Sequence, residues 1–269
     1  MSNVTTIGID LAKSVFQLCA LNQARKVIFN KQVSRRQLIS TLQLHPKALI
    51  AMEACGSSNH WHRELTKLGF KVRVIPTQHV KALLQGNKND TNDALAVAES
   101  VFRPNIHDVA AKSIEQQDIQ TLLRIRTSNK DNRVANSNQI RGLLAEYGVV
   151  IPVGFASLKR QLPLILEDAQ NCLTPVSRSA IYGLYLEHQR LCEVIKVLDK
   201  QLDTIIDAYP LAKRLLCLRG IGPISALALY AAIGNGSQFK NARQLSAWLG
   251  LVPKQFGTGG RVQLSGISK

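Results

Sequence analysis

Four carboxylates stand where a globular core would not ordinarily place them. Asp10 closes the run Ile7-Gly8-Ile9-Asp10, and Glu53 closes Ala48-Leu49-Ile50-Ala51-Met52 in the same way. An acid at the end of an apolar strand is poorly suited to that place unless it binds something. Asp90 and Asp93 lie in Lys88-Asn89-Asp90-Thr91-Asn92-Asp93-Ala94, and their spacing puts both on one face of a helix start. Four such acids repel one another unless cations neutralise them, and hard oxygen ligands select Mg²⁺ or Mn²⁺. A pair of these ions activates an attacking oxygen and stabilises the leaving one in phosphodiester chemistry. For any single acid the plain alternative is a helix or turn cap, and Asp90 is a good N-cap candidate. Two acids that independently terminate apolar strands make the set harder to dismiss.

The elements that must position these acids alternate over the first hundred residues. Val4 to Ile9, Val15 to Ala20 and Lys26 to Phe29 read as three short strands, and Ser34 to Leu44 has helical spacing. Ala48 to Met52 is an apolar strand, followed by a helix near Trp61 to Leu68 and a strand at Lys71 to Ile75 that Pro76 stops. A last helix is expected from Thr91 to Phe102, with Pro104 just beyond it. Three strands followed by alternating helices and strands is the order of a ribonuclease H-like α/β fold.

From Ser113 the pattern changes. Ile114 to Tyr147 contains no proline and one glycine, which predicts a long helix, and Arg124, Arg126, Lys130, Arg133 and Arg141 are spread along it. A helix polar nearly all round needs a partner to be stable. In a second long helix, Ile181, Leu184, His188, Leu191, Ile195, Leu198, Leu202 and Ile205 follow alternating steps of three and four, an a/d heptad seam. The two helices pair either within one chain or across a dimer. His188 reads as a polar seam residue that fixes register rather than as a ligand. The expected organisation is therefore a domain over 1–108, a long-helix coiled-coil region over 109–208, and a helical C-terminal module over 209–269.

The chain carries 34 Lys and Arg against 18 Asp and Glu, a net charge of +16, and an excess of that size favours a polyanionic partner, most often nucleic acid. An anionic membrane surface or a ribosome would attract the same charge. The five cysteines, Cys19, Cys55, Cys172, Cys192 and Cys217, are scattered and lack zinc-ligand spacing, which argues against structural zinc and a disulfide framework. Neither a signal peptide nor an apolar run of the roughly 20 residues that span a bilayer is found, so a cytoplasmic protein without membrane attachment is expected. A metabolic enzyme is disfavoured, because there is no P-loop and no GxGxxG after the first strand.

Leu218-Arg219-Gly220-Ile221-Gly222-Pro223 reads as a turn opening a helix. Backbone N–H groups exposed at Gly220 and Gly222 suit a DNA phosphate, as in a helix-hairpin-helix element, and a plain interhelical turn carries equal weight. Phe239 to Leu249 has the pattern of an amphipathic helix. In the segment after it, Gly259 and Gly260 permit close approach of a ligand, and Lys254 and Arg261 supply charge. A flexible surface loop is the bland alternative.

Ile7 to Lys13, Met52 to Gly56 and Lys88 to Ala94 resemble the DEDD motifs of a transposase family, insertion-sequence family 110 with its subgroup 1111, which includes the Piv-type DNA invertases. The resemblance covers nearly the whole chain. It implies a RuvC-like N-terminal domain in which Asp10, Glu53, Asp90 and Asp93 are catalytic metal ligands. Ala247 to Pro253 and Gly260 to Lys269 look like the family's transposase domain, where a serine just before paired glycines attacks DNA and forms a covalent phosphoserine. This sequence departs there: Gly257 and Thr258 occupy the positions expected for serine, and Thr258 is the better match as nucleophile. Ser265 lies nearby but outside the motif. The chain stops at Gly266-Ile267-Ser268-Lys269, inside a motif the family continues, so a shortened remnant or fragment is expected.

The resemblance implies site-specific DNA recombination by metal-assisted strand transfer. It also implies a noncoding guide RNA, for which the basic first long helix is a candidate contact, although its charge equally suits a solvated face. A homodimer or homotetramer is expected, since the heptad seam needs a partner and recombination must hold two duplexes. Two other readings remain open: a metal-dependent nuclease acting on branched DNA, with Thr258 dispensable, and an inactive nucleic-acid-binding remnant.

Overall fold

The computed structural model describes residues 4–84, 86, 87 and 89–267. These divide into two compact units, 1–113 and 114–269.

The first unit is built on a five-stranded sheet of β1 (Val4–Asp10), β2 (Val15–Asn22), β3 (Val27–Ser34), β4 (Leu49–Glu53) and β5 (Lys71–Ile75). Its order is β3-β2-β1-β4-β5; β1, β2 and β3 form an antiparallel meander, and β4 and β5 continue parallel to β1. Helices α1 (Leu38–Gln43), α2 (Ser58–Lys67), α3 (Thr77–Lys81) and α4 (Asp90–Ser100) complete it. Because side chains alternate across a strand, each central strand feeds two cores. Ile7, Ile9, Phe16, Leu18, Ile50 and Met52 pack with Leu38, Leu42, Trp61 and Leu65 on the α1–α2 face. On the other face Cys19 and Leu21 pack with Ala94 and Ala98, and Ala51 with Ala96 and Val97, all four alanine and valine partners on α4.

The element order matches the sequence expectation except for α3, which the expectation lacked, and for differences at the ends. β3 runs on to Ser34, so the helix expected from Ser34 begins only at Leu38. Asp90 is not the cap of α4. Asn89 holds the extended backbone of the N-cap and its side chain accepts from the Asn92 amide at 2.8 Å, which leaves Asp90 inside the first turn. Lys88, quoted in the third motif, lies outside the described residues.

The second unit is organised by α5 (Ile114–Glu146) and α7 (Pro175–Ile205), which pack along one another within the chain. At one end Ile140 and Leu144 of α5 meet Ile181 of α7 and Leu158 and Leu162 of α6 (Phe155–Glu167), a helix the heptad reading had not resolved. At the other, Ile119 and Leu202 enclose Ala226, Leu227 and Ala231 of α9 (Pro223–Ile233). The long helices and the C-terminal helices thus share a core. An Arg126–Asp199 ion pair ties α5 to α7, and Asn136 donates to the Leu184 carbonyl at 3.1 Å. His188 is buried in this seam, as its heptad position required.

α8 (Pro210–Arg214) and α10 (Ala242–Trp248) complete the helices, α10 starting at an Asn241 cap three residues later than the periodicity suggested. The helical expectation does not extend to the last segment. Pro253–Thr258 (β6) and Arg261–Ile267 (β7) form an antiparallel hairpin, solvent-exposed along both strands. Gly259 and Gly260 take φ of 56° and 81°, the pair of positive values that a two-residue primed turn demands, so paired glycines make a tight turn rather than a flexible loop. Among the described residues no helix is long and apolar enough to cross a membrane.

Candidate active site

β1 and β4 are parallel neighbours, with Ile9 opposite Met52, and so Asp10 and Glu53 follow at the same C-terminal edge of the sheet. Gly8 faces α4 so closely that a Cβ there would meet the Ala94 carbonyl oxygen and the Ala98 nitrogen, each at 2.5 Å. Asp10, two residues on, shares that face by strand alternation, and Glu53 shares the face of Ala51. α4 packs across this face, and its first turn, which carries Asp90 and Asp93, meets Gln17 of β2, the strand partner of Asp10, and Asn30 of β3. All four acids thus belong to one face of the sheet or to the helix that covers it.

Their side chains are less closely drawn together. Among the described residues no three His, Cys, Asp or Glu side chains are grouped so as to hold a metal ion. One atom nonetheless lacks a partner: the Oδ1 of Asp93 is buried and accepts no hydrogen bond. A buried carboxylate oxygen left unsatisfied is costly, and a hard cation is a partner suited to it. Carboxylate oxygens are the donor type that suits Mg²⁺ or Mn²⁺.

Two residues that motif reading passed over hold this end of α4. Gln17, the β2 partner of Asp10, is buried and donates from Nε2 to Asn30 Oδ1 at 2.6 Å, while Asn30 Nδ2 donates to the Thr91 carbonyl at 3.0 Å. The signal was present as a glutamine inside an otherwise apolar strand. Nearby Cys19 is a packing residue, its thiol pushed up to about 11 by burial first and by Glu99 second. Beyond Glu53, Ser58 closes the loop to α2 by donating to the Cys55 carbonyl at 2.9 Å.

The remaining candidates lie in the second unit. Thr258 ends β6 opposite Arg261, exposed beside the Gly259–Gly260 turn. Gly257, the other position considered for the nucleophile, carries no side chain, and a Cβ there would meet the Arg261 carbonyl at 3.1 Å. Ser265 sits lower on the hairpin, donating to the Lys254 carbonyl at 3.4 Å. Gly220, with φ of 89°, turns the chain, and Gly222 is the extended N-cap of α9 with Pro223 after it. Helix, turn and helix are present there in the order expected.

A family model described as a transposase matches residues 7–149, and a second, described as the transposase IS116/IS110/IS902 family, matches residues 212–269. Over all 269 residues the chain is 40% identical to the transposase for insertion sequence element IS1111A of Coxiella burnetii, covering 74% of it. The chain belongs to the IS116/IS110/IS902 transposase family. It is likewise 39% identical over 268 residues to a probable family 20 transposase of Pseudomonas aeruginosa, covering 79% of that protein. With the transposase for insertion sequence element IS1328 of Yersinia enterocolitica it shares 35% identity over 269 residues, covering 80%. The first match of this transposase family contains all four acids, and the second contains the hairpin with Thr258.

Proposed function

We propose that this transposase performs metal-assisted phosphodiester strand transfer on DNA, with Asp10, Glu53, Asp90 and Asp93 as ligands of Mg²⁺ or Mn²⁺ and Thr258 as nucleophile. The observation that supports the reading is that Asp10 and Glu53 end adjacent parallel strands on the sheet face that α4, with Asp90 and Asp93 in its first turn, packs against. When bound, the cations would neutralise charge on the phosphate and on the leaving oxygen.

The chain's own groups supply the rest. Thr258 Oγ1 attacks the phosphorus, its Oγ1–P bond forms as the P–O bond to the leaving strand breaks, and the departing oxygen takes a proton. A strand hydroxyl reverses the step and regenerates Thr258, so rejoining needs no ATP. Lys254 and Arg261, on the same hairpin, bind flanking phosphates, and the turn at Gly220 and Gly222 offers backbone N–H groups to another. A noncoding RNA pairs with the DNA, and its contact is the exposed side of α5, which bears Arg124 and Lys130. The α7 seam is already occupied by α5, so a homodimer or homotetramer uses other surfaces.

The test is DNA cleavage with covalent trapping by the full chain, in Mg²⁺ and its flanking-element RNA. A protein–DNA adduct lost in both Thr258→Ala and Asp10→Ala supports the reading. Cleavage lost only with Asp10→Ala moves the assignment to a nuclease or to another nucleophile. Binding without cleavage under any metal overturns the enzyme reading.

A further inference from the structure

We propose that Gln17 and Asn30 are positioning residues of the carboxylate site, a clamp that holds the first turn of α4 against β2 and β3. The inference rests on the metal-site reading given under Proposed function.

Gln17 is 6% exposed and stands between Phe16 and Leu18, both fully buried. A buried side-chain amide in such a strand costs stability unless it is hydrogen-bonded, so its partners define its use. Gln17 lies on the α4 face with Cys19 and Leu21, and in the antiparallel register it is the Cα partner of Asp10. Its Nε2 donates to Asn30 Oδ1 at 2.6 Å and reaches Thr91 Oγ1 at 3.5 Å. Asn30 Nδ2 in turn donates to the Thr91 carbonyl at 3.0 Å. The chain of donors fixes both amide orientations: with Nδ2 on the carbonyl, Asn30 presents only its oxygen to Gln17.

Thr91 is the residue between Asp90 and the turn that ends at Asp93, and β2 and β3 grip it at two atoms, one on the side chain and one on the backbone. The contact of Gly8 with Ala94 and Ala98 fixes how near α4 lies to the sheet. The buried residues of α4 begin at Ala94, so core packing holds the middle of the helix, while the first turn with Asp90 and Asp93 precedes it and needs a constraint of its own. The grip on Thr91 supplies that constraint. Residues that orient metal ligands from behind commonly change metal affinity 10–100-fold when removed.

The experiment is Mn²⁺ titration of the full chain by calorimetry, paired with amide hydrogen exchange without metal. Gln17→Ala and Asn30→Ala are each expected to weaken Mn²⁺ binding about tenfold, with a double variant less affected than the product of the two. Thr91→Ser keeps both gripped atoms and is expected to bind as the wild type does. Leu65→Ala, in the core on the opposite face of the sheet, lowers the melting temperature and is expected to leave Mn²⁺ affinity alone, which separates positioning from general stability. In Gln17→Ala, exchange protection is expected to fall at Asn92 and Asp93 and to persist at Ala98 and Ser100. Wild-type affinity in Gln17→Ala, or an equal loss in Leu65→Ala, overturns the proposal. If the wild-type chain itself binds no Mn²⁺, the metal-site reading fails, and exchange alone decides the clamp: unchanged protection at Asn92 and Asp93 overturns it.

Discussion

Gly8 of β1 lies against Ala94 of α4 with no room for a side chain: a Cβ would come within 2.5 Å of the Ala94 carbonyl oxygen. The atoms it would strike are helix backbone, which cannot swing aside as a side-chain tip can. This contact sets how closely the middle of α4 lies on the sheet, and it explains why the motif around Asp10 contains a glycine.

Gly8→Ala is therefore expected to destabilise the first unit by about 3 kcal/mol, the upper range for overpacking a rigid contact. Gly56→Ala, whose added Cβ would meet nothing within 4 Å, is the comparison and is expected to change stability little. Urea denaturation of both variants checks this, and equal midpoints would show that α4 yields freely.

Asn89→Ala removes the cap of α4, in which the side chain accepts from the Asn92 amide. A loss of about 1 kcal/mol is expected, together with weaker Mg²⁺-dependent stabilisation, because the frayed turn is the one carrying Asp90 and Asp93. Asp90→Asn is expected to leave the helix start in place, since Asp90 is not the cap. Thermal melts with and without Mg²⁺ separate the two effects.

Asp93→Asn replaces a carboxylate whose Oδ1 is buried without a partner. Without metal, the variant is expected to be as stable as the wild type or more stable by about 1 kcal/mol, since functional carboxylates are commonly held at a cost in stability. Stabilisation by added Mg²⁺ should disappear. A variant that is plainly less stable without metal would mean that Asp93 serves the fold.

His188 gives a pH prediction. Burial, with Arg133 and Arg141 beside it, holds its pKa below the usual 6.5. As pH falls through 6.5 the unfolded chain takes the proton first, so stability is lost on the acid side and levels off below the folded pKa. His188→Leu suits the seam position and removes this share, so the acid-side fall should become shallower. His62, lowered chiefly by burial, acts in the same direction and keeps some slope. Melting temperatures between about pH 7.5 and 5 provide the check, and parallel curves for the two proteins would exclude a role for His188.

The sequence alone determined whatever local pattern controls. Strand alternation, the two long helices and the seam through His188 were legible because periodicity reports which side of an element is buried. Asp10 and Glu53 were legible as acids that end apolar strands, and the motif resemblance to a transposase family agrees with the matches over 7–149 and 212–269. Tertiary structure decided what depends on residues distant in the chain. It put Asp10 beside Glu53, 43 positions apart, through a parallel pairing that neither strand encodes by itself. It chose α5 as the partner of α7 within the chain, where the heptad seam allowed another copy. It turned the segment after Leu251 into a hairpin, because turn geometry at Gly259 and Gly260 outweighed the general tendency of glycine-rich chain to stay loose. Asn30 had no motif to announce it: its role arises only where β3 and α4 come within hydrogen-bonding distance, 61 residues apart in sequence.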